Sequence, residues 1–197
     1  MKKLVIICLI YLILPISASA KHFSWQGAQV QTVAGGGIEL IEKTLTLRGS
    51  ATYFWVPEKG VNMFFTYFGP KWQIADWIWV APLVGLAGNW TLSGKVAADL
   101  SLWTGLSFFD SQLTVFLEGE AIVNEDQQDY YGYYSIDYNP LSFFNVGVQG
   151  EQVNEGIQFG PHVGFSKGPW HFEVQYYAGL QDVNYGHAVR IFTLLFF

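Results

Sequence analysis

The stretch from Tyr185 to the C-terminus constrains the fold most. Val189, Ile191, Thr193, Leu195 and Phe197 recur at every second position, the spacing of one face of a β-strand. The opposite face carries Arg190 and then Phe192, Leu194 and Phe196. One side is therefore apolar throughout, and both sides are apolar near the end. The same alternation of aromatic and β-branched residues with small or polar ones fills most of the chain. Almost nothing in it reads as a long amphipathic helix.

The N-terminus points to export. Residues 1–20 start Met1-Lys2-Lys3, run apolar from Leu4 to Ile16 and end Ser17-Ala18-Ser19-Ala20, the order of a secretory signal cleaved after Ala20. The single cysteine, Cys8, falls inside this segment, so the mature chain is expected to carry no thiol and no disulfide. Losing Lys2 and Lys3 takes the formal charge from −6 to −8, which argues against a nucleic-acid partner. No apolar run of transmembrane-helix length follows. All eight tryptophans lie beyond the signal, and a soluble domain would not comfortably expose so many apolar positions on both sides of its strands. A barrel in lipid does, because its outer face meets hydrocarbon and its rims favour aromatic belts.

The closing segment, a terminal Phe197 with apolar residues at alternate positions before it, resembles the last strand of bacterial outer-membrane β-barrel proteins. That resemblance implies an all-β, closed, antiparallel up-and-down transmembrane barrel. It also implies Phe197 as assembly signal, barrel-assembly machinery and outer-membrane lipids as partners, and location in the cell outer membrane. Turn signals recur at barrel-strand spacing from Thr44 onward. They predict strands at 44–56, 61–74, 77–90, 95–108, 113–124, 130–138, 141–153, 157–166, 169–181 and 185–197, hence about ten strands, with eight or twelve as alternatives. Residues 44–197 form the barrel in this reading. Residues 21–43, interrupted by Gly35-Gly36-Gly37, are a periplasmic lead-in, a plug or an additional strand.

An even count places both barrel ends on the periplasmic side. Ala75-Asp76, Phe109 to Gln112, Asn139-Pro140 and Ser166 to Gly168 are then periplasmic turns. Short surface loops follow at Pro57 to Gly60, Thr91 to Gly94, Glu125 to Asp129, Asn154 to Gly156 and Asp182 to Asn184. Phe68-Gly69-Pro70-Lys71 before Trp77-Ile78-Trp79 is echoed by Phe159-Gly160-Pro161-His162 before Trp170-His171-Phe172. A bulge is expected at each Gly-Pro, since proline cannot donate to the ladder.

Strand parity sends the charges inward, because a charge facing mid-bilayer lipid costs about 2–4 kcal/mol. With a turn centred on Lys167-Gly168, His162 faces Glu173, and Gln149 lies beside His162. Closure brings Arg48 next to the last strand. The expected belt is Glu151, His162, Glu173, Arg190 and Arg48, with His171 on the same polar face. Asp99, Glu118, Glu120 and Asp137 line the other wall beside Trp103, Tyr131 and Tyr133. This set reads as a lumen polar network in which each charge is satisfied by a neighbour. A general-base reading of His162 with Glu173 lacks an evident nucleophile, and a metal reading of His162, His171 and Glu173 lacks a recognised spacing. No catalytic residue, metal ligand or cofactor is assigned.

The functional expectation is a non-enzymatic barrel, either structural or a narrow conduit for small polar or cationic solutes. The alternative is a lipid-modifying enzyme resembling the small barrels that acylate or deacylate lipopolysaccharide. Its nearest candidate residue is His187, which lacks a serine two positions on, where Val189 stands.

Overall fold

The structure, a computed structural model, describes residues 25–89, 96–125, 128–179 and 186–197. The expected signal segment and the loops at 91–94 and 182–184 lie outside them. Among the described residues, eleven strands close into one barrel. They are β1 (Trp25–Ile41), β2 (Leu45–Val56), β3 (Val61–Ala75), β4 (Ile78–Gly88), β5 (Val96–Phe108), β6 (Leu113–Val123), β7 (Gln128–Leu141), β8 (Phe144–Val153), β9 (Gly156–Lys167), β10 (Trp170–Gly179) and β11 (His187–Phe196). The one helical element among the described residues is a 3-10 turn at Pro57–Lys59. Among the described residues no helix is long and apolar enough to cross a membrane, which has no bearing on strands.

Consecutive strands pair antiparallel, whereas β1 also pairs parallel with β11 and so closes the wall. The wall thus holds one strand more than the expected ten, and it is the additional strand that residues 21–43 could supply. The additional strand is the segment broken by Gly35-Gly36-Gly37, and those glycines sit inside β1. A Cβ on Gly35 would lie 3.0 Å from the Gly49 carbonyl oxygen, and one on Gly36 would lie 2.3 Å from that of Phe197. The triplet lets two neighbouring backbones approach; it does not end the strand. An odd count also separates the ends: β1 starts beside His187, while Phe196 lies beside Gly35. The start of β1 and the C-terminus are therefore at opposite rims.

The remaining boundaries fall within a few residues of the sequence reading. Two turns move. Asn139 and Pro140 belong to β7, whose ladder shifts register between Tyr138 and Leu141, and the chain reverses at 142–143. The β9–β10 turn is Gly168-Pro169, with Gly168 at φ 60°, as expected where glycine opens a two-residue hairpin. Neither Gly-Pro copy forms a bulge: Pro70 and Pro161 stay in register with Leu47 and Val148. Each preceding glycine instead admits the neighbouring strand, since a Cβ on Gly69 or Gly160 would come within 2.4 Å of the Pro82 oxygen or 2.0 Å of the Tyr176 oxygen.

Parity sorts the side chains sharply. Phe68, Val84, Leu100, Leu102, Leu117, Ile136, Val174 and Ile191 are exposed on the outer wall. Of the Asp, Glu, Lys and Arg residues in the strands, only Lys167, the last residue of β9, has outward parity. Exposed aromatics gather at both rims: Trp72, Trp77, Phe143 and Trp170 near the C-terminal end, and Tyr53, Trp55, Phe64 and Tyr130 near the other. Closure pairs the two outer strands with each other and leaves a free edge only along the end of β1, whose residues past Gly35 have no partner in β11.

Candidate functional site

The lumen has two unlike walls. β2 to β6 contribute an aromatic one, in which Tyr67 and Trp103 rings lie 5.1 Å apart and Trp103 and Phe116 5.7 Å; it meets the other wall at Tyr133 of β7, 6.1 Å from Phe116. Arg48 belongs to this wall: its strand β2 is not the neighbour of β11, because β1 intervenes, yet its side chain reaches across to Phe196 of β11. Its guanidinium carbon sits 4.7 Å from the Trp103 ring centre and 5.2 Å from that of Phe196, within cation–π range. Glu118 lies close enough to couple with it. Ser101 donates to Glu120 Oε1 at 3.3 Å. Asp99 is 1% exposed and its oxygens accept no hydrogen bond of ordinary geometry, although the Tyr67 phenol is near enough to interact.

The other wall, β7 to β11 with β1, carries one continuous hydrogen-bond network. Arg190, 3% exposed, donates to Glu151 Oε1 at 2.5 Å and to Oε2 at 2.9 Å. It also donates to Gln29, Gln31 and Tyr177. Glu151 in turn accepts from Tyr131 at 2.9 Å and Gln158 at 2.7 Å. Tyr177 donates to Gln175 and Gln175 to Glu173, so the chain of contacts runs on toward the C-terminal rim. A bidentate pair with its remaining lone pairs and protons satisfied is the arrangement in which a buried charge pair offsets its desolvation.

Nearer that rim lies a second cluster. His162 Nε2 is 2.6 Å from Asp137 Oδ1, and Nδ1 is 2.6 Å from Gln149 Oε1. Asn145 Nδ2 donates to Asp137 Oδ1 at 3.0 Å and to Glu173 Oε1 at 3.4 Å. Ser166 Oγ is 2.7 Å from His171 Nδ1, and His171 Nε2 is 2.7 Å from Glu173 Oε1. Two expectations change here. His162 opposes Gln175, and Glu173 opposes Gly164, because the turn is one residue later than expected. Asp137 joins His162 and not the acids of the aromatic wall. All ten expected lumen residues have inward parity and divide between two walls as expected, except that Arg48 and Asp137 exchange walls.

A cavity of about 330 Å³ separates the walls, with Arg48, Trp79, Trp103, Glu118, Tyr131 and Phe196 in its lining. It shares His171, Glu173 and Leu194 with a larger depression of about 740 Å³ at the C-terminal rim. The inner chamber thus continues toward that rim, while Arg190 and Glu151 pair across β9 and β10 nearer the opposite one.

The Ser166–His171–Glu173 relay has the residue types of a hydrolase triad, with serine on Nδ1 and carboxylate on Nε2. The Ser166 backbone N–H, which an oxyanion hole would use, is donated to the Phe143 carbonyl at 2.9 Å. His187 contacts the Tyr176 hydroxyl at the opposite rim, with no serine in the expected place. Gln29 and Gln31 escaped the sequence reading because β1 was not counted, and Asn145 because it sits next to the β8 turn. Period-two parity extended through both segments would have found them. No protein-family model matches the chain, and no curated protein matches it significantly.

Proposed function

We propose that the chain is an integral β-barrel of the bacterial outer membrane, structural and not conducting, with its C-terminal rim toward the periplasm. The observation that carries this reading is the sorting of ionised side chains, which leaves Lys167 at a rim as the only outward strand charge. Lipid demands such an exterior and water does not. The aromatic rims fit headgroup depth on both sides. The bridge between Arg190 and Glu151 favours the structural form over the conduit, since wide aqueous channels need about sixteen strands and this wall has eleven.

Leu102→Arg tests the reading. Leu102 lies mid-strand in β5 and is 55% exposed. In lipid vesicles the substitution is expected to lower unfolding free energy by about 2–4 kcal/mol. On a water-facing wall the same change would stay within about 0.5 kcal/mol, and that result would refute membrane placement.

A further inference from the structure

We propose that Asp137, His162 and Glu173, joined by Asn145, form a binding site for a divalent transition-metal ion of the zinc class. The donor atoms of Asp137, His162 and Glu173 lie within 4.8 Å of one another. The proposal rests on the lumen geometry alone and is independent of membrane placement.

The hydrogen-bond inventory has room for a cation there. Gln149 Nε2 donates to the Tyr176 carbonyl at 2.9 Å, which fixes the amide so that its Oε1 can only accept from His162 Nδ1. That ring nitrogen therefore carries the proton. The Nε2 lone pair then points at Asp137 Oδ1 from 2.6 Å, and two acceptors at that distance repel unless something positive stands between them. A second proton meets the need by making a buried imidazolium. A metal ion meets it with the neutral ring.

Asn145 supplies an independent sign. The residue is 6% exposed, and its Oδ1 accepts no hydrogen bond. Its Nδ2 occupies the gap between the carboxylates, 3.0 Å from Asp137 and 3.4 Å from Glu173. Turning the amide over places Oδ1 in that gap. Adjacent ligands around a tetrahedral zinc ion are about 3.3 Å apart, as follows from bonds near 2.0 Å. The flipped oxygen fits that spacing, and the His162–Asp137 separation need open by only about 0.7 Å to match it.

The supporting shell is also present. Metal-bound histidines donate their second N–H to an oxygen, and ligating carboxylates are themselves hydrogen-bonded. Gln149 receives the His162 N–H, Ser135 donates to Asp137 at 2.8 Å, and His171 holds Glu173. The rim depression lined by Asp137, Asn145, His171 and Glu173 gives access. Nitrogen and oxygen donors without thiolate suit zinc better than copper(I), and the imidazole disfavours magnesium and calcium.

The test uses tag-free full-length protein, folded in detergent micelles and stripped with chelator. Zn²⁺ is titrated calorimetrically and Co²⁺ by its visible absorption, which reports a nitrogen–oxygen tetrahedral site. One ion per chain is expected. His162→Gln and Asp137→Asn should each weaken Zn²⁺ binding by more than about 100-fold, and the positioning variant Gln149→Ala by about 10- to 100-fold. His187→Gln, at the far rim, should bind as wild type. Heat-dependent gel mobility confirms that each variant is folded, and Gln149→Ala carries the comparison if a ligand variant does not fold. Wild type that binds no ion, or undiminished binding in the folded ligand or Gln149 variants, overturns the proposal.

Discussion

Replacing Glu151 by glutamine should be among the most destabilising single changes in the lumen. The substitution keeps the volume and removes the charge that faces Arg190, which is 3% exposed. Breaking one side of a buried pair typically costs about 3–5 kcal/mol, because the other ion stays behind without compensation. Neutral acceptors persist around the guanidinium, Gln29 at 2.8 Å and Gln31 at 3.1 Å, and it stacks 4.6 Å from the Tyr177 ring centre. These hold the expected loss near the low end, about 3 kcal/mol. Urea unfolding in lipid vesicles, followed by tryptophan fluorescence and gel mobility, measures it. Arg190→Met should cost at least as much, since it strands a carboxylate. The double variant Glu151→Gln/Arg190→Met should cost less than the two singles summed, with coupling of roughly 1–3 kcal/mol. Singles below about 1 kcal/mol, or strict additivity, would refute the view that this pair stabilises the closed lumen.

Two further outcomes follow from the wall and the lumen. Gly36→Ala places a Cβ 2.3 Å from the Phe197 oxygen, whereas at Gly119 nothing lies within 4 Å. The first should lose about 1–3 kcal/mol as overpacking does, and Gly119→Ala, read by the same urea midpoints, should escape that steric loss. In planar bilayers the wild-type protein should show no unit conductance above lipid background; discrete steps would sink the closed-lumen reading.

The alternation that sends Leu100 and Leu102 outward and Asp99 and Ser101 inward is written into β5 residue by residue, so most strands and their facing could be read directly. β1 could not, because Gly35-Gly36-Gly37 has no side chains to display a period, and its role depends on backbones distant in sequence. Register was harder still. One residue of displacement at Gly168-Pro169 moved His162 from Glu173 to Gln175. The Arg190–Glu151 contact was out of reach for a different reason: β9 and β10 separate their strands. Such a pair depends on the bore of the barrel, which ladder counting does not supply. The contact of Asp137 with His162 depends on that bore too, since β8 separates their strands.

The β1–β11 seam is the clasp of this belt. Every other pair of neighbours is tethered by the connection between them, and can re-form after slipping. Here the partners are as far apart in the chain as Gln29 and Arg190, 161 positions, and the pairing is of the weaker parallel kind. Contacts of that separation bear the largest closure entropy and come late. The fastening should therefore be the last to snap shut in assembly and the first to unbuckle under denaturant, with three glycines and a C-terminal phenylalanine as its hook and eye.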